Sequence, residues 1–250
     1  MLKKFHIAVL LLGGLLLTAP PGEAASRLVI DAPEFDFGYV PQNSKISHKF
    51  ALQSAGDDSL KIVKVIPGCG CTQTPLDKRE LAPGESTDLE VIFNTGRYSS
   101  RVTKRPKIQS NDDKKVDDVI IHATVVRRPD STQPVIVKPY KLDISQFGEK
   151  KRNEMKFTIT NVSEQDLKIR LIDLAEDMFE VTVVENIGAG ETAEGVLRIR
   201  PEAVDMPFEK SFTFECSDDA SSRFTVPVKR AVKTPGASKP MTANIKKKPQ

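Results

Sequence analysis

Two of the three cysteines in this 250-residue chain stand one glycine apart, in Gly68-Cys69-Gly70-Cys71-Thr72. Soft, oxidisable side chains at i and i+2 can close a disulfide if the backbone folds sharply. Gly70 between them and Gly68 before them would allow that. So small a ring removes little chain entropy, which makes it a poor staple. A strained, exposed disulfide is instead readily attacked by a thiol, which points to exchange with a partner. In the reduced state two neighbouring thiolates could clip a soft ion such as Cu(I). Zinc would need more ligands, and only His48, His122 and the carboxylates are on offer. The residues alone therefore leave open a structural or inert pair, redox work and metal handling. Cys69 and Cys71 are the candidate redox or metal residues, with Gly68, Gly70 and Thr72 as the turn that supports them.

The remaining reactive side chains read as structural. His48 shares a strand face with Ile46, Phe50 and Leu52, and His122 lies in an apolar strand run, so both are expected as half-buried strand histidines. Cys216 sits at a strand end and reads as a buried free thiol. The acids of Ser110-Asn111-Asp112-Asp113 and Cys216-Ser217-Asp218-Asp219 are turn residues. There is no Ser-His-Asp order, metal-hydrolase motif or phosphate-cradling loop. The expectation is a protein that is not an enzyme.

Strands must position these groups, because period-two alternation dominates the chain. Residues 45–54 put Ile46, His48, Phe50 and Leu52 on one face. Residues 59–66 repeat this with Leu60, Ile62 and, after a shift, Val65. Residues 86–94 place Leu89, Val91 and Phe93 together, and residues 116–126 close the unit. Gly, Asp, Asn and Pro clusters mark the reversals between them. The nearest approach to a helix is Asp173–Phe179.

The unit then recurs. Residues 50–62 align with 157–169 at an offset of 107, residues 81–93 with 187–199 at 106, and residues 106–115 with 212–221 at 106. Each copy has about 100 residues and roughly seven short strands, which predicts an all-β chain of two tandem immunoglobulin-like sandwiches. The expected boundaries are 27–126 and 135–232, with a linker at 127–134 and a disordered basic tail at 233–250. Shifted by 107, Gly68 to Thr72 lands on Ala175 to Phe179, where no cysteine stands. The framework thus folds once without the pair, which suggests a special role for it in the first copy.

The first 24 residues read as a signal peptide: a basic start, an apolar run and a small-residue cleavage region ending at Ala24. No cysteine follows, so no lipoprotein anchor is expected. The mature chain is expected in a bacterial periplasm, an oxidising compartment. Removing Lys3, Lys4 and Glu23 takes the formal charge from +3 to +2, and the six basic residues of 230–250 leave 25–229 at −4. An acidic body argues against nucleic-acid binding. The tail's lysines offer a weak contact to an anionic surface.

The stretches 35–40, 68–72, 81–86 and 91–112, in that order, resemble the bacterial family known as domain of unknown function 1573, over about residues 30–126. The resemblance implies a Hydin-type, major-sperm-protein-like immunoglobulin fold and supplies no activity. The chain departs from the family pattern at Pro41-Gln42-Asn43, where a glycine is usual, and at Gly68, where a serine is common. Together these readings predict a periplasmic binding or scaffold protein acting on an envelope protein. The alternative is a redox or Cu(I)-handling accessory.

Overall fold

The computed structural model describes residues 24–112, 116–148 and 152–232. The segment read as a signal peptide, up to residue 23, and the basic tail from 233 lie outside them. The first half carries β1 (Leu28–Val29), β2 (Glu34–Pro41), β3 (Lys45–Ser54), β4 (Leu60–Ile66), β5 (Thr72–Gln73), β6 (Glu80–Leu81), β7 (Ser86–Asn94), β8 (Ser100–Lys104), β9 (Lys107–Ser110), β10 (Asp117–Asp118) and β11 (Ile120–Val126). The second carries β12 (Val135–Lys138), β13 (Leu142–Asp143), β14 (Glu154–Asn161), β15 (Leu167–Leu174), β16 (Phe179–Thr182), β17 (Asn186–Ile187), β18 (Thr192–Ile199), β19 (Phe208–Cys216) and β20 (Arg223–Arg230). The architecture is all-β, in packed sheets.

Alternation translates directly into burial. Along β3 and β7, Ile46, Phe50, Leu52, Leu89, Val91 and Phe93 all point into one core, which they share with Phe35, Phe37 and Ile108. The expected shift in β4 is a β-bulge between Ile62 and Lys64, which throws Val63 out to 66% exposure and brings Val65 back against the core. A second core gathers Phe157, Phe179, Phe212, Phe214, Phe224 and their aliphatic neighbours. Asn43 supplies the left-handed conformation, φ 51°, in the turn where a glycine is usual; asparagine tolerates it better than most residues.

The repeat is visible in the pairing. β3 pairs β7 and β5 pairs β7, as β14 pairs β18 and β16 pairs β18; β4 pairs β9 as β15 pairs β19. Asp173–Phe179, the stretch nearest to a helix by sequence, is not one. Asp173 and Leu174 end β15, paired with Thr213 and Phe212, and a turn follows before β16. Seven residues are too few to nucleate a helix against a ready ladder partner.

One feature had no sequence signal. A single sheet runs β17-β15-β19-β20-β2-β11-β8, so it passes from the second half into the first through β20 and β2, which run parallel with Tyr39 opposite Phe224. Gly38 makes this approach possible. Its φ is +63°, and a Cβ built there would lie 2.0 Å from the backbone oxygen of Arg223. Thr225 Oγ1 donates to the Phe37 carbonyl at 2.7 Å, and the Tyr39 and Phe224 rings lie 5.1 Å apart.

Polar contacts extend the joint. Ser211 Oγ accepts from Ser47 N–H at 3.0 Å and donates back to its carbonyl at 3.3 Å. Lys210 Nζ donates to both Glu90 carboxylate oxygens at 2.6 Å, with the two side chains 16% and 13% exposed. Lys45 pairs Glu209. The connection 127–134 is one 3₁₀ turn, Pro129–Ser131, followed by buried Thr132.

Candidate functional site

The Gly68–Cys71 turn joins β4 to β5, at an edge of the first sandwich. β5 is the last strand of the sheet β1-β3-β7-β5, and β8 is the last strand of the sheet that runs through both halves. Gly68 takes φ +83°, a conformation that a side chain would strain, and a Cβ at Gly70 would meet nothing within 4 Å. The reversal is closed by Thr72 N–H donating to the Cys69 carbonyl at 3.3 Å, and it is tied to the core sheet by Asn94 N–H donating to the Cys71 carbonyl at 2.8 Å.

Cys69 and Cys71 are joined as a disulfide, with their Cα atoms 5.3 Å apart. Both are half-buried, but unequally placed: Cys71 packs against the first core, whereas Cys69 is not part of that packing. The hydroxyl of Thr72, itself buried, lies 3.3 Å from Cys69 Sγ and 3.8 Å from Cys71 Sγ.

Two further residues complete the site, and sequence reasoning passed over both. Tyr98, between β7 and β8, donates its hydroxyl to Cys71 Sγ at 3.6 Å. Lys104, at the end of β8, donates to the Tyr98 hydroxyl oxygen at 3.0 Å and sits 4.3 Å from the Tyr98 ring centre. The Tyr98 ring in turn lies 5.7 Å from that of Phe93, which faces Thr72 across the β5–β7 ladder. The available signal was compositional: residues 97–107 carry Arg97, Arg101, Lys104, Arg105 and Lys107 without an acid. Arg101 pairs with Asp36 at 2.9 Å and Arg105 with Asp118 at 3.6 Å.

The second half shows what the same place looks like without thiols. Phe179 stands where Thr72 stands, opposite Ile199 where Thr72 faces Phe93, and it is fully buried near Phe208 and Phe212. A large ring seals that end of the second core. In the first half the smaller Thr72 and the adjoining Cys71 take that place, leaving sulfur at a partly open surface.

The other reactive side chains stand apart from this turn. His122 is bonded at both ring nitrogens, to Thr103 Oγ1 and to Glu34 Oε1, each at 2.8 Å, across neighbouring strands. His48 stacks on Phe35 at 3.7 Å, and its Nδ1 lies 3.1 Å from Asp173 Oδ1, off the line of a hydrogen bond, at the joint between the halves. Cys216 is free, and burial pushes its thiol up to about 12. It lines a cleft of about 730 Å³ together with Arg170, Leu171, Val181 and Val183 in the second half. A thiol so protonated is a poor nucleophile, so this cleft is not where the cysteine chemistry lies. Among the described residues, no group of three or more His, Cys, Asp or Glu side chains is placed to hold a metal ion, and no helix is long and apolar enough to cross a membrane.

Residues 28–125 match the family model described as "Protein of unknown function (DUF1573)". No curated protein matches the chain. Among solved structures, the chain is similar to a protein of unknown function from Porphyromonas gingivalis W83, at 14% identity and TM-score 0.34, over 81% of this chain and 98% of that one. It is similar to the ASH/PapD-like domain 7 of human CEP192, at 10% identity and TM-score 0.36, over 49% of this chain and 99% of that one. It is also similar to WR4, a C. elegans MSP family member, at 14% identity and TM-score 0.30, over 41% and 100%. At these scores none of them carries a function across.

Proposed function

We propose that this is an exported, periplasmic protein, without enzymatic activity, that works by binding an envelope protein through the edges of a rigid two-sandwich body. The observation that supports it is the sheet that continues from β20 into β2, which holds both halves in one orientation. A fixed body that ends in strands paired on one side only, such as β5, β8 and β16, offers backbone donors and acceptors to an extended partner segment. The acidic body makes nucleic acid a poor partner, and the basic tail adds at most a weak contact to anionic surfaces. A photo-crosslinking side chain placed at Gln73 in β5 or Thr103 in β8, both exposed, tests this in intact cells. Discrete adducts from these positions, and none from exposed Glu164 on a turn, are expected. A strictly monomeric protein that yields no adduct at either edge would refute the reading.

A second reading is favoured by one observation, the Tyr98 hydroxyl aimed at the Cys71 sulfur. Here the Cys69–Cys71 disulfide exchanges with a thiol of the bound partner. Cu(I) handling would need the pair reduced first, with both thiolates available as soft ligands. Counting free thiols and bound copper by mass spectrometry on protein taken directly from the periplasm separates these states.

A further inference from the structure

We infer that the disulfide is built to be opened in one direction: a partner thiolate attacks Cys69 Sγ, and Cys71 leaves as a thiolate held by the Tyr98 hydroxyl, which Lys104 orients. This rests on the second reading above, thiol exchange with a protein thiol, and assigns a role to each of its parts.

The two sulfurs are distinguishable by their surroundings. Cys71 packs against the core and accepts the only phenol hydroxyl that reaches the pair among the described residues. Cys69 lies outside that packing, between exposed Gly68 and Gly70, and nothing stands within 4 Å of the Cβ direction at Gly70. An incoming thiolate must approach the attacked sulfur along the S–S axis from the side opposite the leaving sulfur, which demands open space there. Cys69 has the exposed neighbours and Cys71 alone has the Tyr98 phenol, while the Thr72 hydroxyl stands near both sulfurs and does not tell them apart.

The donors form a chain. The Lys104 ammonium donates to the Tyr98 oxygen at 3.0 Å, and the Tyr98 O–H points to Cys71 Sγ at 3.6 Å. An ammonium behind a phenol makes the phenol a stronger donor, and charge-assisted hydrogen bonds to an anion outweigh those to a neutral sulfur. The contact therefore strengthens as negative charge develops on Cys71, which is when it lowers the barrier. Lower basicity of the leaving sulfur speeds exchange.

The step balances without an outside oxidant. The partner thiolate R–S⁻ forms a bond to Cys69 Sγ, the Cys69–Cys71 bond breaks, and its electron pair stays on Cys71, giving R–S–S–Cys69 and Cys71–S⁻. From there, Cys71–S⁻ can return to Cys69 and release R–S⁻, or a second partner thiolate can attack R–S–S–Cys69, oxidising the partner to R–S–S–R and leaving both cysteines reduced. Tyr98 touches the reacting sulfur. Lys104 acts through Tyr98 and is a positioning residue. The Lys104 ammonium also brings a positive charge beside the pair, which favours approach of an anionic thiolate.

The test uses the mature chain with glutathione as the probe thiol. The disulfide is opened by reduced glutathione, quenched in acid, and the adduct mapped by peptide mass spectrometry; the expected adduct is on Cys69. Tyr98→Phe and Lys104→Met are each expected to slow opening about tenfold, the double variant little more, because they act as one chain. A purely structural role would not move the next readout. In the reduced Cys69→Ser background, the pH midpoint of thiolate absorbance at Cys71 should rise in Tyr98→Phe, while that of Cys69 in the Cys71→Ser background stays put. An adduct on Cys71, or opening rates and midpoints unchanged by both substitutions at matched thermal stability, overturns the assignment while leaving exchange itself standing. A disulfide that glutathione does not open at all overturns the exchange reading and this inference with it.

Discussion

Replacing Gly38 by alanine isolates the contact that joins the two halves. The substitution imposes two separable costs. A left-handed φ of +63° costs an alanine about 1–2 kcal/mol relative to glycine. The new Cβ would then lie 2.0 Å from the Arg223 backbone oxygen, which no side-chain rotation can relieve. β2 and β20 must move apart, and the first bond lost is Thr225 Oγ1 to the Phe37 carbonyl, a buried acceptor whose loss costs about 1–3 kcal/mol. The sum is about 2–5 kcal/mol by these terms. Gly84→Ala supplies the internal reference, since Gly84 has φ +80° and nothing within 4 Å of an added Cβ. It carries the backbone term alone, and both variants share the same gain from a stiffer unfolded chain. Urea unfolding followed by far-UV circular dichroism and by tyrosine fluorescence is the assay. The wild type is expected to unfold in one coincident transition. Gly38→Ala should lower the midpoint well beyond Gly84→Ala, and separate the two probes as the halves uncouple. Equal midpoint shifts in the two variants would refute the claim that the β2–β20 approach stabilises the molecule.

Three other outcomes follow from the same contacts. Lys210→Met should cost about 2–4 kcal/mol in urea unfolding by leaving the largely buried Glu90 carboxylate unpaired, and adding Glu90→Gln should restore much of it. Hydrogen bonding from Arg170, with Arg223 beside it, holds the Glu215 carboxyl below its ordinary range despite the opposing effect of burial. A lowered folded pKa contributes stability above the unfolded value near 4.5 that is lost as pH falls through the folded value, so Glu215→Gln should flatten the acid limb of a midpoint-against-pH curve below about pH 4.5. Cys216, 2% exposed with its thiol pushed up to about 12, should resist iodoacetamide at pH 8 until urea unfolds the chain; rapid labelling of the native protein would contradict its burial.

Much of the framework is legible in the residues because strand burial is a local property. Alternation at Ile46, Phe50 and Leu52 dictates which face of β3 goes inward, whatever the rest of the chain does. Even the β4 bulge is written in the run from Ile62 to Val65, where the apolar spacing slips by one. Asp173–Phe179 is decided by the opposite kind of property. Its composition suits a helix, but Asp173 and Leu174 meet Thr213 and Phe212 on a strand some forty residues away, and that pairing wins. Ser47 looks like a solvent-facing position by alternation, yet it is buried because its face meets Ser211 of the other half.

The cysteine turn divides along the same line. Its residues, its flexibility at Gly68 and Gly70, and its lack of a counterpart at 175–179 are properties of the sequence, since they depend on residue types and on comparing two copies of one pattern. The asymmetry of its sulfurs belongs to the tertiary structure. Tyr98 and Lys104 are 27 and 33 residues from Cys71 along the chain, and they reach it because β7 carries the backbone back beside β5 and β8 returns along the same edge. The joining of the two sandwiches is likewise tertiary: nothing local to Gly38 sets it apart, and only the strand brought beside it, 185 residues further on, shows that the missing side chain makes room for another backbone.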